Sequence, residues 1–120
     1  MIRSRGLNHI NLNVSNLRRS VNFYEKAFGL RVRFTAGRRM VFLRSPGAND
    51  VITLCKARKG EPIGNGGVSH FGFEMKGSME RCIAQVEHAG GTLLERGEHA
   101  PGVSYAYLAD PDGYVIEIGT

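Results

Sequence analysis

Residues Tyr105–Gly119 read Y-A-Y-L-A-D-P-D-G-Y-V-I-E-I-G. Two apolar, aromatic and β-branched runs flank Asp110-Pro111-Asp112-Gly113. Proline at the second turn position presets φ, and glycine at the fourth tolerates a positive φ, so the stretch predicts a β-hairpin. Side chains alternate faces along its outgoing strand. Tyr114, Ile116 and Ile118 share one face; Val115, Glu117 and Gly119 share the other. Glu117 therefore sits mid-strand among apolar neighbours. A buried carboxylate has to be paired, protonated or bound to a metal, because a bare one is costly.

Outward from the hairpin the chain keeps switching period. Leu7–Val14 alternates, with Leu7, His9, Asn11 and Asn13 on one face and Ile10, Leu12 and Val14 on the other, which predicts a strand. Ser15-Asn16 supplies N-cap chemistry, and Leu17, Val21, Tyr24 and Phe28 recur at helical spacing before Gly29, so a helix is expected over 16–28. Strands follow at 30–35, 40–43 and 51–55, separated by Gly37-Arg38-Arg39 and a turn-rich loop over 45–50. Residues 56–67 hold Gly60, Pro62, Gly64, Gly66 and Gly67 with no periodicity and read as a linker. The pattern then restarts. A strand is expected over 68–75, with His70, Gly72 and Glu74 opposite Phe71, Phe73 and Met75. A helix follows with Met79, Cys82, Ile83, Val86 and Ala89 as its apolar stripe, then a short strand at 92–95, a loop over 97–102, and the hairpin.

This is an internal repeat. Gly6 and Gly67, His9 and His70, and Gly29 and Gly90 are each 61 positions apart. One domain over 1–120 is expected, built of a module over about 5–57, a linker over about 58–66 and a second module over about 67–120. The fold class is α+β, two βαβββ modules. If each helix covers the apolar face of its strands, then His9, His70 and Glu117 all point to the opposite, concave side. Two His and one carboxylate form a facial set that leaves coordination positions open, and it suits Fe2+, Mn2+, Ni2+ or Zn2+.

Composition excludes several classes. A hydrophobic fraction of 42% and a charged fraction of 22% are ordinary for a globular chain. No apolar run approaches the ~20 residues of a membrane span. No apolar segment follows the first residues, so no secretory signal is read. Cys55 and Cys82 lack CxxC spacing and are expected as reduced structural thiols in a cytoplasmic protein. The net charge is +5 and the pI about 9.6. The arginines are dispersed and no nucleic-acid motif accompanies them, so the positive potential is assigned to an anionic small substrate.

The chain resembles the vicinal oxygen chelate superfamily: glyoxalase I, extradiol ring-cleavage dioxygenases, fosfomycin-resistance thiol transferases and bleomycin-binding proteins. The resemblance rests on G-L-N-H-I-N-L-N-V at Gly6–Val14, N-F-Y-E-K-A-F-G-L at Asn22–Leu30, G-V-S-H-F-G-F at Gly67–Phe73 and A-D-P-D-G-Y-V-I-E-I at Ala109–Ile118. It implies paired βαβββ modules, a homodimer, and a divalent metal held by His9, His70 and Glu117. It implies a metal-dependent enzyme for a small oxygenated molecule, or else a non-enzymatic protein that sequesters a drug or metabolite. Thr53 stands where glyoxalase I carries its fourth ligand, and Asn11 where the fosfomycin enzymes carry a threonine. No acid–base His of the dioxygenases is placed.

Tyr105 and Tyr107 share a strand face and are candidate substrate contacts, with Tyr107 also a candidate catalytic phenol beside Glu117. Asn11 and Thr53 are further candidate substrate-binding residues. His99 reads as a solvated loop residue, His88 as a helix C-terminal residue, Glu74 as surface, and Arg38 and Arg39 as a hairpin tip.

Overall fold

A computed structural model describes residues 3, 5, 7, 9–66, 68 and 70–120 of the chain. The elements run β1 (Ile10–Val14), α1 (Leu17–Phe28), β2 (Arg31–Ala36), β3 (Met40–Arg44), β4 (Ile52–Lys56), β5 (Phe71–Glu74), α2 (Met79–His88), β6 (Thr92–Ala100), β7 (Val103–Ala109) and β8 (Val115–Gly119). One sheet is ordered β1-β4-β3-β2 and the other β5-β8-β7-β6. This is the expected α+β architecture of two βαβββ modules. His9 immediately precedes β1 and His70 immediately precedes β5, so the repeat holds in space. Gly6 and Gly67 lie outside the described residues.

Within each module the first strand pairs in parallel with the last, Ile10 opposite Ile52 and Phe71 opposite Ile116, and the remaining pairs are antiparallel. A parallel pair needs a crossover, and each helix lies on that connection. Asn16 Oδ1 accepts from Arg19 N at 3.0 Å to start α1, and Gly29 ends it at φ 70°. Ser20, Phe23, Tyr24 and Ala27 form the buried stripe of α1; Met79, Cys82, Ile83 and Val86 form that of α2. Phe23, Tyr24 and Ala27 of the first stripe and all of the second enter one apolar cluster with Val14, Leu43, Leu54, Leu108, Ile116 and Ile118. Phe28 stacks on Phe73 at 4.4 Å, and Gln85 Nε2 donates to Ala27 O at 2.9 Å, so the modules share their packing. The molecule is broad and flat, 44 × 42 × 28 Å. Helices line one side of both sheets, and the opposite sheet faces are left half-exposed.

The hairpin turn does more than reverse the chain. Asp110 is 5% exposed. Its Oδ1 accepts from Asp112 N at 2.8 Å and Tyr114 N at 2.9 Å, and its Oδ2 accepts from Tyr24 Oη at 2.8 Å. Asp112 accepts from Ser15 N at 3.3 Å, Arg19 Nη2 at 3.3 Å, Ser20 Oγ at 3.3 Å and Ser15 Oγ. The second module's turn is thus clasped to the start of α1.

Burial raises the Asp110 carboxyl above its ordinary 3.8, while the bonds from Tyr24, Tyr114 N and Asp112 N pull it partly back. A folded value above the unfolded one makes the group's stabilisation complete below 3.8 and lost as pH rises through the folded value. Wild type should therefore gain stability relative to Asp110→Asn as pH falls towards 3.8. Paired urea melts across the acid range check this, and a pH-independent difference would contradict it.

The second module departs from expectation in one strand. β6 does not stop at Glu95; it continues to Ala100, and the predicted loop over 97–102 shrinks to a turn at Pro101-Gly102. Register shifts at Leu93/Glu95 and Glu98/Ala100 break the alternation, and Gly97 removes a side chain between them. A bulged strand has no clean period of two, which hid it in the sequence. Both cysteines are free; Cys82 is buried, whereas Cys55 is only half-buried. Among the described residues no helix is long and apolar enough to cross a membrane.

Candidate metal site

The open face of the second sheet is built from its registers. Glu117 on β8 lies between Gly72 on β5 and Tyr107 on β7, and Tyr105 lies opposite Gly119. Gly72 leaves room beside Glu117: a Cβ there would come within 2.9 Å of the Glu117 carbonyl oxygen. Two imidazoles reach the carboxylate, one at each oxygen. His70 Nε2 is 3.1 Å from Oε2, and His99 Nε2 is 2.6 Å from Oε1.

Aromatic contacts close a ring around these groups. His70 meets Tyr107 edge-on at 4.9 Å, Tyr107 meets Tyr105 at 5.2 Å, and Tyr105 stacks on His99 at 4.1 Å. Partial burial, then the charge of Glu117, raises the Tyr107 phenol above its ordinary 10.0, with Tyr105 and Glu95 adding to it. The phenol is therefore a hydrogen-bond donor at neutral pH. His70, Leu94, Glu95, Tyr107 and Val115 line a hollow of about 330 Å³.

The first sheet carries the other candidates. Asn11 on β1 lies beside Thr53 on β4, which lies beside Phe42 on β3. Thr53 is 2% exposed, and its hydroxyl donates to Asn11 Oδ1 at 2.5 Å, so it reaches the open face through Asn11. Phe34 stacks on Phe42 at 4.2 Å. His9 is exposed and lines a separate cleft of about 400 Å³ with Ile10, Ile52 and Phe71. Within the chain the fold brings together His70, Glu117, Tyr105 and Tyr107. Among the described residues no three His, Cys, Asp or Glu gather closely enough to hold a metal ion.

His99, a loop residue by the sequence pattern, is a strand residue bonded to Glu117. The available signal was its place two residues beyond Gly97, which pairs with Tyr105 across the turn at Pro101-Gly102. The bulges removed the alternation that would have exposed it.

The same frame matches known proteins. The profile of the Glyoxalase/Bleomycin resistance protein/Dioxygenase superfamily covers residues 6–118. The chain belongs to this superfamily. It is 32% identical over 114 residues to a probable trivalent organoarsenical cleaving enzyme of Bacillus subtilis (strain 168), spanning 88% of this chain and 73% of the relative. It is 28% identical over 117 residues to glutathione transferase FosA of Serratia marcescens, spanning 95% and 79%. A solved glyoxalase/bleomycin resistance protein from Albidiferax ferrireducens T118 shares the fold at TM-score 0.71 and 28% identity, over 94% of this chain and 96% of that one.

The donor chemistry of this superfamily member fits a divalent transition metal. An imidazole nitrogen and a carboxylate oxygen face each other across 3.1 Å, a set suited to Fe2+, Mn2+, Ni2+ or Zn2+ rather than to an all-oxygen cation shell.

Proposed function

We propose that the chain is a metal-dependent enzyme acting on a small oxygenated, anionic molecule, its cation held by His70 and Glu117 of one chain and His9 of a second copy. The observation that carries this reading is the His70 Nε2–Glu117 Oε2 pair, 3.1 Å apart on an open sheet face. When bound, the cation supplies Lewis-acid stabilisation of negative charge on vicinal substrate oxygens. The protein's own groups bind and orient. Tyr107 donates from its phenol, Tyr105 widens the aromatic floor, and Asn11, held by Thr53, offers its amide from the other sheet.

Two features support the second copy. The flat shape leaves sheet faces half-exposed, with Glu117 on one of them and an exposed His9 just ahead of the other module's first strand. Charge is also split between the modules: residues 1–60 hold thirteen Lys and Arg against two Asp and Glu, and residues 61–120 hold three against nine. A basic module seated on a partner's acidic one is electrostatically matched.

Elemental analysis should find about one divalent metal per chain, lost in both His9→Ala and Glu117→Gln. Co-expressing these two variants should restore one metal per hybrid dimer, because one of its two sites then carries neither lesion. Failure to restore metal would place all donors within one chain and sink the shared site. Metal-free wild type with saturable uptake of an unchanged ligand would instead favour a sequestering protein.

A further inference from the structure

We infer that His99 is the positioning residue of the Glu117 carboxylate, holding one oxygen so that the other is left facing His70. This rests on the metal reading above. A carboxylate on a half-exposed glutamate can rotate and present either oxygen, or both, to a cation. Here Oε1 is taken by His99 Nε2 at 2.6 Å, while Oε2 stays 3.1 Å from His70 Nε2. His70 and His99 reach different oxygens, and no three donors gather at one point among the described residues. His99 therefore acts through Glu117. Fixing a ligand's orientation from behind is how such partners tune metal affinity.

Local structure delivers His99 to this place in three steps. Gly97 stands opposite Tyr105, and a Cβ on it would lie 3.0 Å from the Tyr105 hydroxyl and 3.2 Å from its ring. The missing side chain lets the Tyr105 ring lie down across β6. The register shift between Glu98 and Ala100 then leaves His99 as the bulged residue. Bulges re-aim side chains, and β6 is an edge strand with no second neighbour to resist one. The re-aimed imidazole settles on Tyr105, centroids 4.1 Å apart and planes 18° from parallel. Stacking sets the plane of the ring and the hydrogen bond sets its rotation. A surface histidine in casual contact would satisfy one of these, not both.

Co2+ serves as the probe, bound to the full chain and followed by calorimetry and visible absorption. His99→Ala should weaken Co2+ binding by about 10–100-fold and shift the absorption bands. His99→Gln, which retains an N–H of similar reach, should recover part of the affinity. Gly97→Ala should reproduce the weakening at a distance by lifting Tyr105, with melting temperature as the control for folding. Wild-type affinity and spectrum in His99→Ala would overturn the inference and leave the metal reading standing. An imidazole lost from the metal shell in that variant, seen by X-ray absorption, would overturn it in favour of direct ligation. No Co2+ uptake by wild type would overturn the metal reading, and this inference with it.

Discussion

Glu117→Gln is expected to weaken divalent-metal binding by more than about 100-fold, because under the proposed reading it removes a ligand rather than a ligand's partner. The amide keeps the shape of the carboxylate and one acceptor oxygen, so the hydrogen bond from His99 survives. It loses the negative charge and one oxygen donor on the His70 side. Glu117 is not in the apolar cluster, and its side chain is 25% exposed. Folding stability should therefore stay within about 0.5 kcal/mol of wild type. Metal titration beside a urea melt separates the two effects. A variant that binds metal at wild-type affinity removes Glu117 from the ligand set. A variant that unfolds shows the carboxylate to be structural.

Asp110→Ala is expected to cost about 3–5 kcal/mol of stability, the largest effect of any single change considered. The carboxylate satisfies two backbone N–H groups of its own turn and the hydroxyl of Tyr24. Tyr24 is fully buried, and its phenol is pushed well above 10.0, first by burial and then by Asp110. Truncation leaves a buried hydroxyl and two N–H groups with no acceptor and opens a space beneath them. Tyr24→Phe should cost less, since it removes one bond and leaves the two to the turn intact. The melting temperature of Asp110→Ala should fall by on the order of 15 °C. A fall equal to that of Tyr24→Phe would mean that the turn bonds contribute nothing.

Much of the molecule was legible because strands and helices write their faces into the sequence. Val115-Ile116-Glu117-Ile118 alternates, and Ile116 and Ile118 are indeed fully buried while Glu117 faces out of the core. Of the Leu17, Val21, Tyr24 and Phe28 stripe read in α1, Tyr24 is buried and the other three pack partly buried against the core, while the fully buried face is Ser20, Phe23, Tyr24 and Ala27. The equal separation of His9 and His70 became equal stations at the starts of β1 and β5. The charge split between the modules was also present in the sequence, although hidden by counting the whole chain together. His99 was not legible, since a bulge and a glycine erase the alternation that assigns a face.

Residue order alone lays down the two βαβββ modules, the apolar side of each, and the polar face that carries Glu117. Those properties follow from periodicity, which acts between residues a few positions apart. Which polar residues meet is settled by the folding of distant segments onto one another. His70 and His99 lie 29 positions apart and share one carboxylate. His9, an equal candidate by pattern, immediately precedes the first strand of the other sheet. Such meetings depend on strand order, bulge placement and the sideways packing of two sheets, and these are set by the summed burial of the shared core.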